Sequence, residues 1–535
     1  MFHRPKMLSI FLLTALMLNA QHEAHSSEKP VALLDNLGSY SHRIRTSKLE
    51  SQQFFDQGLG LLYGFNRYEA LRSFRRSAEL DPGAVMPLLG VAMALGPHIN
   101  MDSDGDFNNN ASCEALSKAR QLAASGSVYE QAYVQAIASR CPTYDPDRYI
   151  DRMRRLHEQY PDDLDAATLY AESIMIPVRW QWWQADGLPA PGMAQAVSVL
   201  EQVMRRNPIH PGANHFYIHA VEMSPSPERA IPSAYRLMGI MPAAGHIIHM
   251  PAHIWVILGE WEIAATLNER AAQADRDYFA RTGVQSNYLG YYIHNLHFVA
   301  YARAMQGRAD DAINAADRMV TECAAVEKAM PEMVDAFSPY GIFTRVRFGR
   351  WDDMLALPKP HAKLVASNAF WHWGRAIALA GKGERRAASR EAGEFRIAKS
   401  NVPAQWSWMN SKASDALALG DAILEARLER DDHAALEHWR RAVALQDHLR
   451  YDEPPAWFMP VRESLGAALL RAGDAVGAET VFREGIRRSV RDGRMLFGLW
   501  KSLEAQGKTD AVSLVREEFN REWERADVKI RIDDM

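Results

Sequence analysis

The chain reads as an all-α protein built from a repeated pair of helices. From Leu49 onward, apolar residues recur at helical spacing in stretches of about 12 to 16 residues. Almost no segment alternates apolar and polar residues as a half-buried strand would. A pattern of small and bulky residues also returns about every 34 residues, the mark of a stacked array. At 535 residues the chain exceeds what one hydrophobic core normally serves. Its 47% hydrophobic and 24% charged residues are those of a folded protein.

Residues 1–20 have the form of a signal peptide. Arg4 and Lys6 precede the apolar run Met7 to Leu18, and Ala20 offers a cleavage point. That run is shorter than the roughly 20 residues of a membrane span, and no later segment is long enough, so no membrane span is expected. Residues 21–48 lack periodicity and read as a flexible N-terminal segment. Residues 49–535 form the repeat array.

The repeat carries a small residue at position 8, often Gly at 15, Ala at 20, a bulky residue at 24, a small one at 27 and Pro at 32. Small residues let paired helices approach, and Pro stops the second helix because it has no N–H to donate. The first copy sets Gly58, Ala70, Phe74, Ser77 and Pro82 at positions 8, 20, 24, 27 and 32. A second is marked by Ala230, Ala234, Leu237 and Pro242, a third by Ala252, Gly259, Ala264 and Ala271, and a fourth by Ala300, Gly307 and Ala312. Ala435, Trp439 and Ala442, then Gly466, Gly473, Ala478 and Phe482, continue it near the end. Two insertions interrupt the array, at 177–193 (rich in Trp and Pro) and at 280–292. The helix 508–526, polar on most faces, is expected to cap the C-terminal end.

These repeats resemble tetratricopeptide repeats over most of the mature chain. The resemblance implies a helical-hairpin solenoid, an α-α superhelix whose first helices line a concave groove through positions 2, 5, 9 and 12. Three histidine-bearing segments fit that frame, with Pro211, Gly245 and Ile293 at position 1. His215, His219 and Glu222 then fall at 5, 9 and 12. His246, His249 and His253 fall at 2, 5 and 9, and His294 and His297 at 2 and 5, with Tyr301 at 9. Offsets of three and four place each set on one helix face. Seven imidazoles and one carboxylate are thus expected to turn towards one hollow.

Imidazole is the usual ligand of Zn, Cu, Fe and Ni, and an added carboxylate suits Zn or non-haem Fe. The ligands of a transition metal ion are expected among His215, His219, His249, His253 and His297, with Glu222, His246 and His294 as further ligands or as partners that orient the imidazoles. Should Glu222 not be a ligand, it is the candidate general base of a metal-dependent enzyme, with Tyr288, Tyr291, Tyr292 and Tyr301 walling the pocket. The segments Gly212 to Glu222 and Gly245 to Ile254 further resemble a bacterial tetratricopeptide subgroup with G-A-x-H-Y-Y-I-H-A-x-E and A-G-H-x-x-H-M-P-x-H-I motifs. Phe55 to Leu59 (F-x-Q-G-L) and Gly96 to Asn100 (G-P-x-I-N) fit it too, and the likeness runs from Phe54 to Gly383. Arg67 departs from it, standing where that pattern often has His.

Other classes find less support. The net charge of −5 becomes −7 once two basic residues leave with the signal peptide, so no basic face and no nucleic-acid role is implied. Gly-rich phosphate loops, G-x-S-x-G and H-E-x-x-H are absent. Asp102, Asp104, Asp106 and Asn108 alternate like calcium ligands, but Gly105 is misplaced and Cys113 replaces the closing Glu, so a solvated turn is expected. Cys113 and Cys141 can pair in an oxidising compartment or remain thiols. Trp180, Trp182 and Trp183 either stack a ligand or pin the insertion. The expected protein is periplasmic or secreted and binds metal in its groove. The alternative is a metal-free scaffold whose groove takes a peptide, protein or small-molecule partner.

Overall fold

The computed structural model describes residues 28–100, 109–284, 288–328 and 330–535. The expected signal peptide, residues 1–20, and the acidic run from Asp102 to Asn108 lie outside them. Among the described residues the protein is all-α apart from one ribbon, in which Ser407–Trp408 pairs antiparallel with Ser411–Lys412. No helix there is long and apolar enough to cross a membrane. The chain divides into two compact units. The first comprises the described residues up to Ile254 with Leu267–Asn295, and the second Trp255–Thr266 with Leu296–Met535.

In the first unit the helices Leu49–Tyr63, Arg67–Leu80, Val85–Ala94, Asn109–Ala123, Val128–Ile137, Pro146–Gln159, Leu164–Met175, Met193–Arg206, Pro211–Glu222, Ile231–Ile240 and Gly245–His249 each pack on the next. The repeat positions explain how. A Cβ on Gly58 would stand 2.7 Å from the Phe74 ring, and one on Gly90 2.5 Å from it. The bulky residue at position 24 thus lies against the bare backbone of the helices before and after it. Polar side chains start the helices: Asn66 accepts from Glu69 N–H, Ser127 and Glu130 form a reciprocal capping box, and Asp163 accepts from the N–H groups of Asp165 and Ala166.

The second unit repeats the device, with the Phe482 ring 2.4 Å from a Cβ built on Gly466 and 2.1 Å from one on Gly498. Gly259, Gly307 and Gly473, at position 15, take φ of 74°, 73° and 83°, a left-handed turn that glycine makes without strain. Trp373 and Trp408 are buried with Phe343, Phe370 and Trp457, and donate to the carbonyls of Gly420 and Ala456. Glu463 pairs with both Arg347 and Arg494. The helix Thr509–Glu522 lies within the span expected as the cap.

Three local features refine the sequence expectations. The insertion at 177–193 is pinned: Trp182 is fully buried and donates to Met175 O at 3.0 Å, while Trp183 donates to Ala220 O at 2.8 Å and bridges Pro189. Helix reaches into the span 280–292 from both ends, because Trp261–Thr282 runs into it and Leu289–Met305 begins inside it. Cys113 and Cys141 form a disulfide, and Cys323 is buried as a thiol.

Candidate metal centre

The helix Pro211–Glu222 starts with Pro at its first position, where a missing N–H costs nothing, and His210 Nδ1 accepts from Ala213 N–H at 3.1 Å. His215, His219 and Glu222 follow on one face and are buried. The next histidine segment is split. Gly245–His249 ends where Pro251 begins Pro251–Ile257, so His246 and His249 lie on one short helix and His253 on another. Glycine is required at 212 and 245, where a Cβ would come within 2.3 Å of the Tyr63 ring and 1.9 Å of Asp275 Oδ1. His294 comes from Leu289–Met305 and is half-buried.

Six imidazoles therefore gather in the first unit, as two sets. His215, His219 and His246 can offer ring nitrogens within 4.8 Å of one another, and so can His249, His253 and His294. Ring centroids of the two sets approach to 5.4 Å, for His219 with His253 and for His246 with His249.

Each ring is oriented from behind. His215 Nδ1 lies 2.5 Å from the carbonyl oxygen of Tyr63. Glu222 serves two rings, with Oε1 at 3.0 Å from His219 Nδ1 and Oε2 at 2.7 Å from His253 Nδ1. His249 Nδ1 lies 2.7 Å from Asn268 Oδ1. With carbonyl, carboxylate and amide oxygens facing them, the four Nδ1 atoms can donate, which leaves each Nε2 to present a lone pair. Two of those lone pairs then face each other, His249 Nε2 and His253 Nε2 being 2.8 Å apart. His215 Nε2 faces His246 Nε2 at 3.2 Å, and among the described residues neither His219 Nε2 nor His246 Nδ1 has a hydrogen-bond partner although both are buried.

Such an arrangement invites a cation. Facing lone pairs repel, and protonating one ring would bury a charge. Burial and the neighbouring imidazoles hold His215, His246 and His253 far below the usual histidine range. Burial lowers His219 to about 3, and burial outweighs the Asn268 hydrogen bond to lower His249 to about 4. Neutral imidazole is the metal-binding form. With metal–nitrogen bonds of about 2.0–2.1 Å, nitrogens 2.8 to 3.2 Å apart would subtend roughly 85–105° at a shared ion, which suits neighbouring ligands in tetrahedral or octahedral coordination.

Another cluster in the same unit shows what a self-sufficient polar network looks like. Asp165 accepts from Tyr40 and Tyr63 and contacts His42 Nδ1 at 2.7 Å, while Tyr129 and Tyr133 both donate to Asp163 at 2.6 Å. His42, Asp163 and Asp165 are close enough to hold an ion. Their hydrogen bonds already supply the neutralising partners, so nothing there calls for a metal.

The remaining expected residues occupy varied positions. His297 is not grouped with the other histidines. It belongs to the second unit, where its ring lies against Phe337, Tyr340 and Phe458. Tyr301 also belongs there, packed on Trp261 and Phe458. Glu222 stands behind two rings, its oxygens near their Nδ1 atoms, and with His219 and His253 it forms a further group whose ligand atoms lie within 4.8 Å of one another. Of the expected wall, Tyr291 lies 4.7 Å from the His246 ring and Tyr288 Oη accepts from His246 N–H, whereas Tyr292 packs on Phe279. Residues without an obvious sequence signal complete the site. Asn268 is a lone amide on an amphipathic helix, and Phe65 (φ 56°) sets its ring 4.4 Å from His215 and 5.0 Å from His246. Trp180 and Trp182 of the insertion reach within 5.9 and 5.8 Å of His219.

No family model matches the chain, and no curated protein is significantly similar to it. Among solved structures, it is similar to a human IFIT1 dimer with m7Gppp-AAAA at 10% identity, covering 98% of this chain and 96% of that one, with a TM-score of 0.33. Yeast Tom70 is similar at 10% identity over 89% of this chain and 93% of that one, with a TM-score of 0.27. Similarity at this level carries no argument about the function of the chain.

Proposed function

We propose that this chain is an exported helical-repeat protein holding a pair of transition metal ions, one on His215, His219 and His246 and the other on His249, His253 and His294. One observation carries the reading: His249 Nε2 and His253 Nε2 lie 2.8 Å apart while Asn268 and Glu222 face the two Nδ1 atoms. Backing of ligand imidazoles by carboxylate, amide and carbonyl oxygens is how protein metal sites fix ring orientation and tautomer. Imidazole sets of this kind take Zn, Cu or Fe. Three protein ligands per ion leave a position for water, dioxygen or substrate, the form of a catalytic rather than a structural site. Glu222 is a positioning residue in this scheme. The charged and apolar start of the chain and the Cys113–Cys141 disulfide support export to an oxidising compartment.

Elemental analysis of untagged protein, purified from the exported fraction, tests the proposal. About two equivalents of Zn, Cu or Fe per chain are expected, falling to about one in His215→Ala His246→Ala with the helical circular-dichroism spectrum retained. Metal-free protein that also refuses added metal would sink the reading and leave a helical scaffold for a peptide or protein partner.

A further inference from the structure

Beside the imidazoles the first unit holds a further polar cluster in which, among the described residues, arginines outnumber carboxylates. Arg140 closes the short turn Ala138–Arg140 and is 3% exposed. Its Nη2 donates to Tyr149 Oη at 2.6 Å, and its guanidinium lies 4.3 Å over the Tyr149 ring. Among the described residues its Nε and Nη1 have no hydrogen-bond partner. Gly96 packs against that Nη1, only 2.7 Å from where a Cβ would be, and Arg67 Nη2 donates to the carbonyl oxygen of the same glycine at 2.8 Å. Two guanidinium groups therefore converge on one short loop.

Arg179, also buried, contributes further positive charge felt at His98. The carboxylate that answers Arg67 and Arg140 is Glu172, 4% exposed, and no ion pair joins it to either among the described residues. Asn100 Oδ1 is likewise buried and unpartnered. Taking guanidinium N–H groups out of water without an acceptor is costly, and cationic excess in a buried site makes it more so. A carboxylate oxygen accepts strong, charge-assisted hydrogen bonds from guanidinium N–H groups. Glu172 within the cluster disfavours a doubly charged guest.

The cluster adjoins the imidazoles. The His98 ring lies 5.3 Å from Phe65, which also packs on His215 and His246. Burial depresses His98, and Arg67, Arg179 and Arg140 depress it further. Tyr291, whose ring touches His246, carries the influence of Asn100 and Arg67.

We infer that Arg140 and Arg67 receive the carboxylate of a small monoanionic ligand and hold it beside the two imidazole sets. Binding stands on the arginines alone. That the ligand is the substrate of the centre rests on the proposed function above.

Calorimetric titration of the full chain with acetate, and separately with inorganic phosphate, tests the inference. Saturable acetate binding is expected, with phosphate weaker. Arg140→Met should weaken acetate at least about thirtyfold, as removing one member of a buried charge pair does, without changing metal content. Arg140→Lys should recover part of that loss, and Glu172→Gln should strengthen acetate binding, a gain that general loosening of the fold would not produce. Absence of saturable acetate binding, phosphate binding equal to or tighter than acetate, or Arg140→Met and Glu172→Gln both binding like the parent would each overturn it. Acetate bound by a chain that takes up no metal would leave the inference standing and remove the metal centre. A metal-loaded chain that ignores acetate would do the reverse.

Discussion

Asn268 contributes no nitrogen to the centre, yet its Oδ1 fixes which atom of His249 carries the proton. Replacing it by Leu removes that acceptor. We expect metal affinity to fall by about 10–100-fold, as loss of an orienting partner usually does, with the helical spectrum kept; competition titration against a chromophoric chelator would measure it. Parent-like affinity would show that His249 needs no such support. The sequence could not have pointed to Asn268, because one buried amide on an amphipathic helix has no motif. The histidines were legible because their spacing of three and four residues is local. Their division into two sets was not, since it depends on the Tyr63 carbonyl, Asn268 and the sharing of Glu222, all contributed by elements distant in sequence from the rings they orient or set by tertiary packing.

Single elements owe their placement to steric fit as much as to helix propensity. Gly58 and Gly90 accommodate Phe74 as the repeat pattern implies, which is why the helical array could be recognised from short sequence intervals. His297 shows where such frames mislead. Its position in the helix matches that of His249, but helical spacing says nothing about which neighbours the face will meet, and here they are Phe337, Tyr340 and Phe458. The helix Gly245–His249 depends on a bare Cα at its start, where a methyl would meet the buried Asp275 carboxylate. Gly245→Ala should therefore cost about 1–3 kcal/mol, the usual range for forcing an extra methyl into a packed interior, and displace His246. Urea denaturation checks the first effect and metal stoichiometry the second; unchanged values in both would refute this account of the glycine.

At the scale of the whole molecule, the depressed histidines couple folding to acidity. In metal-free protein, His219 and His249 stay neutral down to about 3 and about 4, whereas an unfolded chain takes up protons below about 6.5. Between those values the unfolded state binds more protons, so stability is fully present above about pH 6.5 and is lost as pH falls. Each of the two rings costs on the order of 2 kcal/mol at pH 5 relative to pH 7.5. Thermal melting of chelator-treated protein should show a lower midpoint at pH 5, and added metal should raise it at pH 7.5 because the ion binds only the folded form. A midpoint that is the same at both pH values would contradict the coupling.

Cys141 follows Arg140 directly, and its sulfur is tied to Cys113. Oxidative maturation therefore braces the guanidinium as well as the backbone. A chain held among reduced thiols would keep its histidines in place but lose a tether beside the proposed acid receptor. Ligand capture would then ripen only once the disulfide has formed, which the proposed export to an oxidising compartment would allow.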